Sequence, residues 1–212
     1  MLLFKEQLEE VVWMGQSAKR VVDILRTWNN NKTNADEGFW QLTFRENVYA
    51  ISQVFAVPLV FIQDAAYVGG MSIDRKNAKF VDYLFSKESS QEAVLVEIKT
   101  PVTKLLGTKY RSIYRPSPEL SGAVMQALDY RRTLLQGLAV VGEGTDNKLK
   151  SFSPKCVVVI GNGALELDND HKRRAFELFR SNSRDVEIVT YDELFRKLEV
   201  LASLFSLTLS MG

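Results

Sequence analysis

The hydrophobic pattern changes period at Pro58, and that change limits more than any other feature what the chain can fold into. Before it, Leu8, Val11, Val12, Val21, Val22, Leu25 and Trp28 recur at three- and four-residue intervals, which predicts one amphipathic helix over residues 2–28. A polar stretch, WNNNKTNADE, follows. A second helix is expected over 37–56, N-capped by Asp36 and carrying Phe39, Leu42, Val48 and Val54. After Pro58 the apolar segments are short and rich in β-branched and aromatic residues: PLVFIQ, AYVGGMSI, FVDYLF and AVLVEIK, separated by turn residues as in strands joined by hairpins. A long helix over 118–140 places Leu120, Val124, Leu128, Leu135 and Leu138 on an apolar side and is closed by a loop, GEGTDNKLKSFS. The remainder alternates strand KCVVVIG, helix 171–181, strand VEIVT and helix 192–207, which adds parallel strands and covering helices. The expected fold is α/β, a mixed sheet of antiparallel hairpins and parallel strands flanked by helices. Residues 37–212 form one domain and residues 1–36 a helical arm with its linker. The arm packs on that domain, on another subunit, or continues a preceding region.

Composition removes several kinds of chemistry. One cysteine, Cys156, cannot make an intramolecular disulfide, and with His171 as the only histidine no Cys/His zinc site can be assembled. The same lone His171 weakens the case for Ser/His/Asp and Cys/His nucleophilic catalysis, so chemistry is expected to run on carboxylates and lysine. A net charge of +1 gives no overall pull toward polyanions, and a nucleic-acid site has to be a local patch. MLLFKEQLEE turns acidic too early for a signal peptide, and no apolar run approaches the ~20 residues that span a bilayer. An intracellular, cytoplasmic protein without membrane attachment is the expectation.

The pattern acid-x-Lys occurs four times, but only Glu97-Ile98-Lys99 stands at the end of an apolar strand; Asp74-Arg75-Lys76, Asp146-Asn147-Lys148 and Asp170-His171-Lys172 fall in loops or at a helix start. Two-residue spacing puts Glu97 and Lys99 on one face with Leu95, while Val94, Val96 and Ile98 face the other way. A hairpin centred between Ser89 and Ser90 sets Asp82 directly across from Glu97, and like charges so opposed repel. A divalent cation held by both carboxylates relieves that repulsion; hard oxygen ligands suit magnesium or manganese. The alternative is an ion-pair cluster without chemistry. On the helix after the sheet, Glu119, Gly122, Gln126 and Tyr130 form a polar line whose glycine would permit close approach to the sheet. On the earlier helix, Glu46 stands where it could reach the same site. Between Lys99 and Pro118, Lys104, Lys109, Arg111 and Arg115 meet no acidic residue, and Tyr110 and Tyr114 are interleaved with them. Such a loop can grip a phosphate backbone, or it is simply solvated. VVVIGNGALE looks like a dinucleotide-binding turn at Gly161 and Gly163, but Glu166 stands where the third glycine belongs.

An Asp on one strand, Glu-x-Lys on its hairpin partner and a Gln on the following helix together resemble the active site of the PD-(D/E)xK nuclease superfamily. Within it, FVDYLF, AVLVEIKTP, KLLGTKYR, SPELSGAVMQALDY and IVTYDELFRKL resemble the nuclease domain of the Shedu anti-phage defence family over about residues 39–200. The resemblance implies a restriction-endonuclease-like sheet and a magnesium-dependent endonuclease acting on double-stranded DNA. It implies that Asp82, Glu97 and Glu46 bind the metal, that Lys99 assists the attacking water or the scissile phosphate, and that Gln126 supports the site. It also implies homo-oligomers and additional N-terminal regions that control the nuclease. A DNA-binding or DNA-end-binding module with an inactive nuclease-like site is the alternative.

Overall fold

The computed structural model describes residues 2–55, 57–69, 78–141 and 150–210. Its elements are α1 (Leu2–Asn31), α2 (Glu37–Glu46), α3 (Val48–Ser52), β1 (Leu59–Gly69), β2 (Lys79–Lys87), β3 (Glu92–Ile98), β4 (Leu106–Tyr110), β5 (Ile113–Pro116), α4 (Pro118–Val141), β6 (Lys150–Val159), α5 (Gly163–Glu166), α6 (Asp170–Asn182), β7 (Val186–Val189) and α7 (Tyr191–Ser210). Five strands form one sheet in the order β1-β2-β3-β6-β7, antiparallel from β1 to β3 and parallel from β3 to β7. This is the mixed α/β sheet expected from the change of period.

Helices cover both faces because the central strands are apolar on both sides. Val94, Val96 and Ile98 of β3, with Val157 and Val159 of β6, pack against α1, α2, α3 and α7; Ala93, Leu95, Cys156 and Val158 pack against α4 and α6. The first of these cores is aromatic. Trp28 of α1 stacks on Phe195 of α7 with ring centroids 4.7 Å apart, and Trp40, Phe44 and Tyr191 close around them. With Val21 and Ile24 also buried in that cluster, the described half of α1 takes the following domain as its partner.

Four sequence expectations are corrected. The helix expected over 37–56 is broken at Asn47, whose backbone leaves helical geometry (φ −129°, ψ 50°) while its side chain donates to the Thr43 carbonyl. PLVFIQ and the start of AYVGGMSI are one strand, β1, which absorbs irregularities between Phe61 and Gln63 and between Tyr67 and Gly69; the rest of AYVGGMSI lies outside the described residues. The basic stretch expected to be a loop folds as a separate antiparallel ribbon, β4–β5, turning through Arg111 in the left-handed region (φ 56°). In GEGTDNKLKSFS, residues 150–153 already belong to β6, and 142–149 lie outside the described residues.

Candidate active site

The carboxyl end of β3 emerges between β2 and β6, where the amino end of α2 meets it. Extended by one residue, the ladder Tyr83↔Val96, Leu84↔Leu95 puts Asp82 across from Glu97, and the Ile98 N–H reaches Asp82 there. Asp82 is held at both oxygens: Oδ1 accepts from Gln41 Nε2 at 2.7 Å and Oδ2 from the Ile98 backbone N–H at 2.7 Å. Glu97 is 4% exposed, and its Oε1 accepts from Lys99 Nζ at 2.9 Å. The same ammonium lies 3.4 Å from Glu37 Oε1. Lys99 itself is pinned through its backbone, its N–H donating to Val159 and its carbonyl accepting from the Tyr191 hydroxyl.

The electrostatics match this crowding. Burial, against the pull of the Ile98 N–H and Lys99, raises the Asp82 carboxyl above the ordinary range. Burial and then the facing Asp82 charge raise Glu97 in the same direction, with Lys99 opposing. Burial draws the Lys99 ammonium down, but Glu97, Glu37 and Asp82 outweigh it and hold it above its usual value. The site is thus short of positive charge: two carboxylates, a third at the rim, and one lysine.

That deficit is the test for a divalent cation. Among the described residues no three Asp, Glu, Cys or His side chains converge closely enough to form a complete protein cage. Magnesium does not need one, since it keeps several waters and takes one or two carboxylates. Asp82 and Glu97 supply hard oxygen donors whose shared repulsion a cation relieves, so the residues present fit it. A cleft of about 270 Å³ lined by Gly38, Gln41, Leu42, Arg45, Asp64, Ala65, Asp82 and Tyr83 gives solvent a way to Asp82.

Asp82, Glu97 and Lys99 are brought together, and among the described residues neither Glu46 nor Gln126 hydrogen-bonds to them. Glu46 is exposed at the far end of α2, nine residues from Glu37 and so about 13 Å along the axis. The helix carboxylate beside Lys99 is Glu37. Sequence reasoning missed it and Gln41, although their four-residue spacing puts both on one face of a helix begun by Asp36, whose side chain caps the Phe39 N–H. Gln126 donates to the Tyr130 hydroxyl at 2.8 Å, one turn along α4. Gly122 permits no close approach, because a Cβ there would meet nothing within 4 Å. Lys104, Lys109, Tyr110, Arg111 and Arg115 are all exposed, Lys104 before the ribbon and the others on it. The dinucleotide turn is closed by the chain's own carboxylates: Asp192 accepts from the Gly163 and Ala164 N–H groups, and Glu166 from those of Leu105 and Leu106.

A family model described as "Shedu protein SduA, C-terminal" matches residues 34–195. The Shedu protein SduA of Bacillus cereus (strain B4264) is 39% identical over 207 residues, covering 94% of this chain and 53% of that protein. The chain therefore spans about half the length of this curated relative. Both matches run through α2, β2, β3 and α4, and the chain belongs to the Shedu SduA family.

Proposed function

We propose that the chain is a metal-dependent endonuclease that hydrolyses DNA phosphodiester bonds in anti-phage defence, with a site of the PD-(D/E)xK kind. The observation that carries this reading is the half-buried Asp82 opposite the buried Glu97, with Lys99 at the same strand end. Asp82 and Glu97 would hold magnesium or manganese, with Glu37 at the rim as a third carboxylate. When bound, such a cation supplies charge neutralisation at the scissile phosphate and a more acidic attacking water. Gln41 and the Ile98 N–H orient the Asp82 carboxylate. Lys99, which now donates to Glu97, would place its ammonium where it can meet the charge gathering on phosphate oxygens. No histidine base is required, which suits a chain whose one histidine is exposed on α6. Lys104 and the basic side chains of β4–β5 hold the flanking phosphates of double-stranded DNA. Assembly as a homo-oligomer belongs to the same proposal.

The test is supercoiled plasmid incubated with the protein and magnesium, with and without EDTA. Wild type is expected to nick or linearise it, and Asp82→Asn, Glu97→Gln and Lys99→Ala to lose that activity. Unchanged nicking in all three variants would sink the proposal. A second reading has an observation of its own: Asp82 and Glu97 are already hydrogen-bonded by Gln41, Ile98 and Lys99, as in a self-sufficient ion-pair cluster. DNA bound by wild type without cleavage under any divalent cation would favour a binding module.

A further inference from the structure

We propose that the β4–β5 ribbon is a wedge that unstacks a base step of duplex DNA beside the scissile phosphate; the inference rests on DNA being the substrate. Among the described residues the ribbon is a two-stranded sheet of its own, hydrogen-bonded to no strand of the main sheet. Two-stranded ribbons of this kind reach into the grooves of duplex DNA. Its tip carries the pair Tyr110↔Ile113, directly opposed and therefore on one face, 58% and 42% exposed. Two large, half-exposed side chains thus stand at the turn of a basic hairpin. Inserted apolar side chains are how proteins part base steps.

Charge selects the occupant. From Lys99 to Pro118 there is no acidic residue, and β5 packs against α6, whose first turns add the exposed Arg173 and Arg174. The rings hold the cations at the surface: Arg111 lies over Tyr110, and Lys109 lies 4.9 Å from the Tyr114 centroid. A wedge also needs a fixed root, and this one has it. Glu166 accepts from the N–H groups of Leu105 and Leu106, both at 2.8 Å, and Ser117 N–H donates to the Leu105 carbonyl while its hydroxyl donates to that of Lys104. The root begins six residues after Lys99, so the ribbon springs from the segment that leaves the candidate site.

The experiment uses short duplexes carrying 2-aminopurine at successive positions, bound by the protein in calcium, with anisotropy reporting binding and 2-aminopurine brightening reporting unstacking. Wild type is expected to brighten one or two adjacent positions. The double variant Tyr110→Ala/Ile113→Ser, which alters only exposed side chains, is expected to leave them dark and to cut intact duplex about tenfold more slowly or worse, as the loss of one stacking contact implies. A mismatch at that step should restore its cleavage. A bound duplex that brightens at no position, or a double variant that brightens it as wild type does, overturns the wedge. Brightening without cleavage by wild type keeps the wedge and removes the nuclease reading, and failure to bind any DNA removes both.

Discussion

Replacing Glu166 tests whether the root of the ribbon is held as the geometry says. Its two oxygens each accept a 2.8 Å hydrogen bond, from the backbone N–H groups of Leu105 and Leu106, which are 0% and 6% exposed. Both N–H groups donate to this one carboxylate, which thus ties down the start of the ribbon. Hydrogen bonds to a charged group contribute about 1.5–3 kcal/mol each, and a buried donor left without an acceptor costs about 1–3 kcal/mol. Glu166 lines a cleft with Lys104, Lys172 and Asn162, so water can reach part of the gap, and the low end of the range applies. Glu166→Ala should lower stability by about 2–3 kcal/mol. Glu166→Gln should be nearly as harmful, because its amide keeps one acceptor and turns an NH2 group toward the second N–H. In urea unfolding, either change should move the midpoint down by about 1 M. DNA binding should weaken with it, since Lys104 and the ribbon start at these two residues. A Glu166→Gln midpoint indistinguishable from wild type would refute the reasoning.

Three other outcomes follow from the same geometry. Because the Asp82 and Glu97 carboxyls are raised in the folded chain, chiefly by burial, this pair's contribution to the stability of the cation-free protein is fully present below the ordinary carboxylate range. That contribution should be lost as pH rises through the raised values. Magnesium should therefore raise the thermal midpoint more at pH 8 than at pH 5, and Glu97→Gln in EDTA should melt above wild type at pH 8. Gly161→Ala should cost about 2–4 kcal/mol in denaturant unfolding, because φ is +66° and the new Cβ would lie 2.6 Å from a Leu105 methyl and 2.8 Å from the Thr103 carbonyl. Trp28→Ala should cost about 3–5 kcal/mol, since the ring is 3% exposed and stacked on Phe195; a loss under 1 kcal/mol would mean α1 is a detachable arm.

The sheet and the heart of the site were legible because both rest on local rules. Alternation along AVLVEIK assigned Val94, Val96 and Ile98 to one core and Leu95 to the other, and the turn at Ser89/Ser90 carried Asp82 across to Glu97. What was not legible depends on contacts distant in sequence. Glu37 and Gln41 looked like ordinary polar positions until α2 was laid against the end of β3. Glu46, equally acidic on the same helix, was favoured by its apolar neighbours Phe44 and Val48 but stands at the wrong end. The break at Asn47 hid inside an apolar rhythm that continues into α3. The ribbon was masked because Gly107, Pro116 and its many charges read as a loop, and its turn uses Arg111 in place of the glycine or asparagine that would mark a hairpin.

The most direct measurement is manganese binding by calorimetry to the wild-type chain and to Asp82→Asn, Glu97→Gln, Glu37→Gln and Glu46→Gln. The account expects binding by wild type, its loss in Asp82→Asn and Glu97→Gln, weakening in Glu37→Gln and no change in Glu46→Gln. Wild type without affinity for manganese or magnesium, or binding that survives both Asp82→Asn and Glu97→Gln, would contradict it.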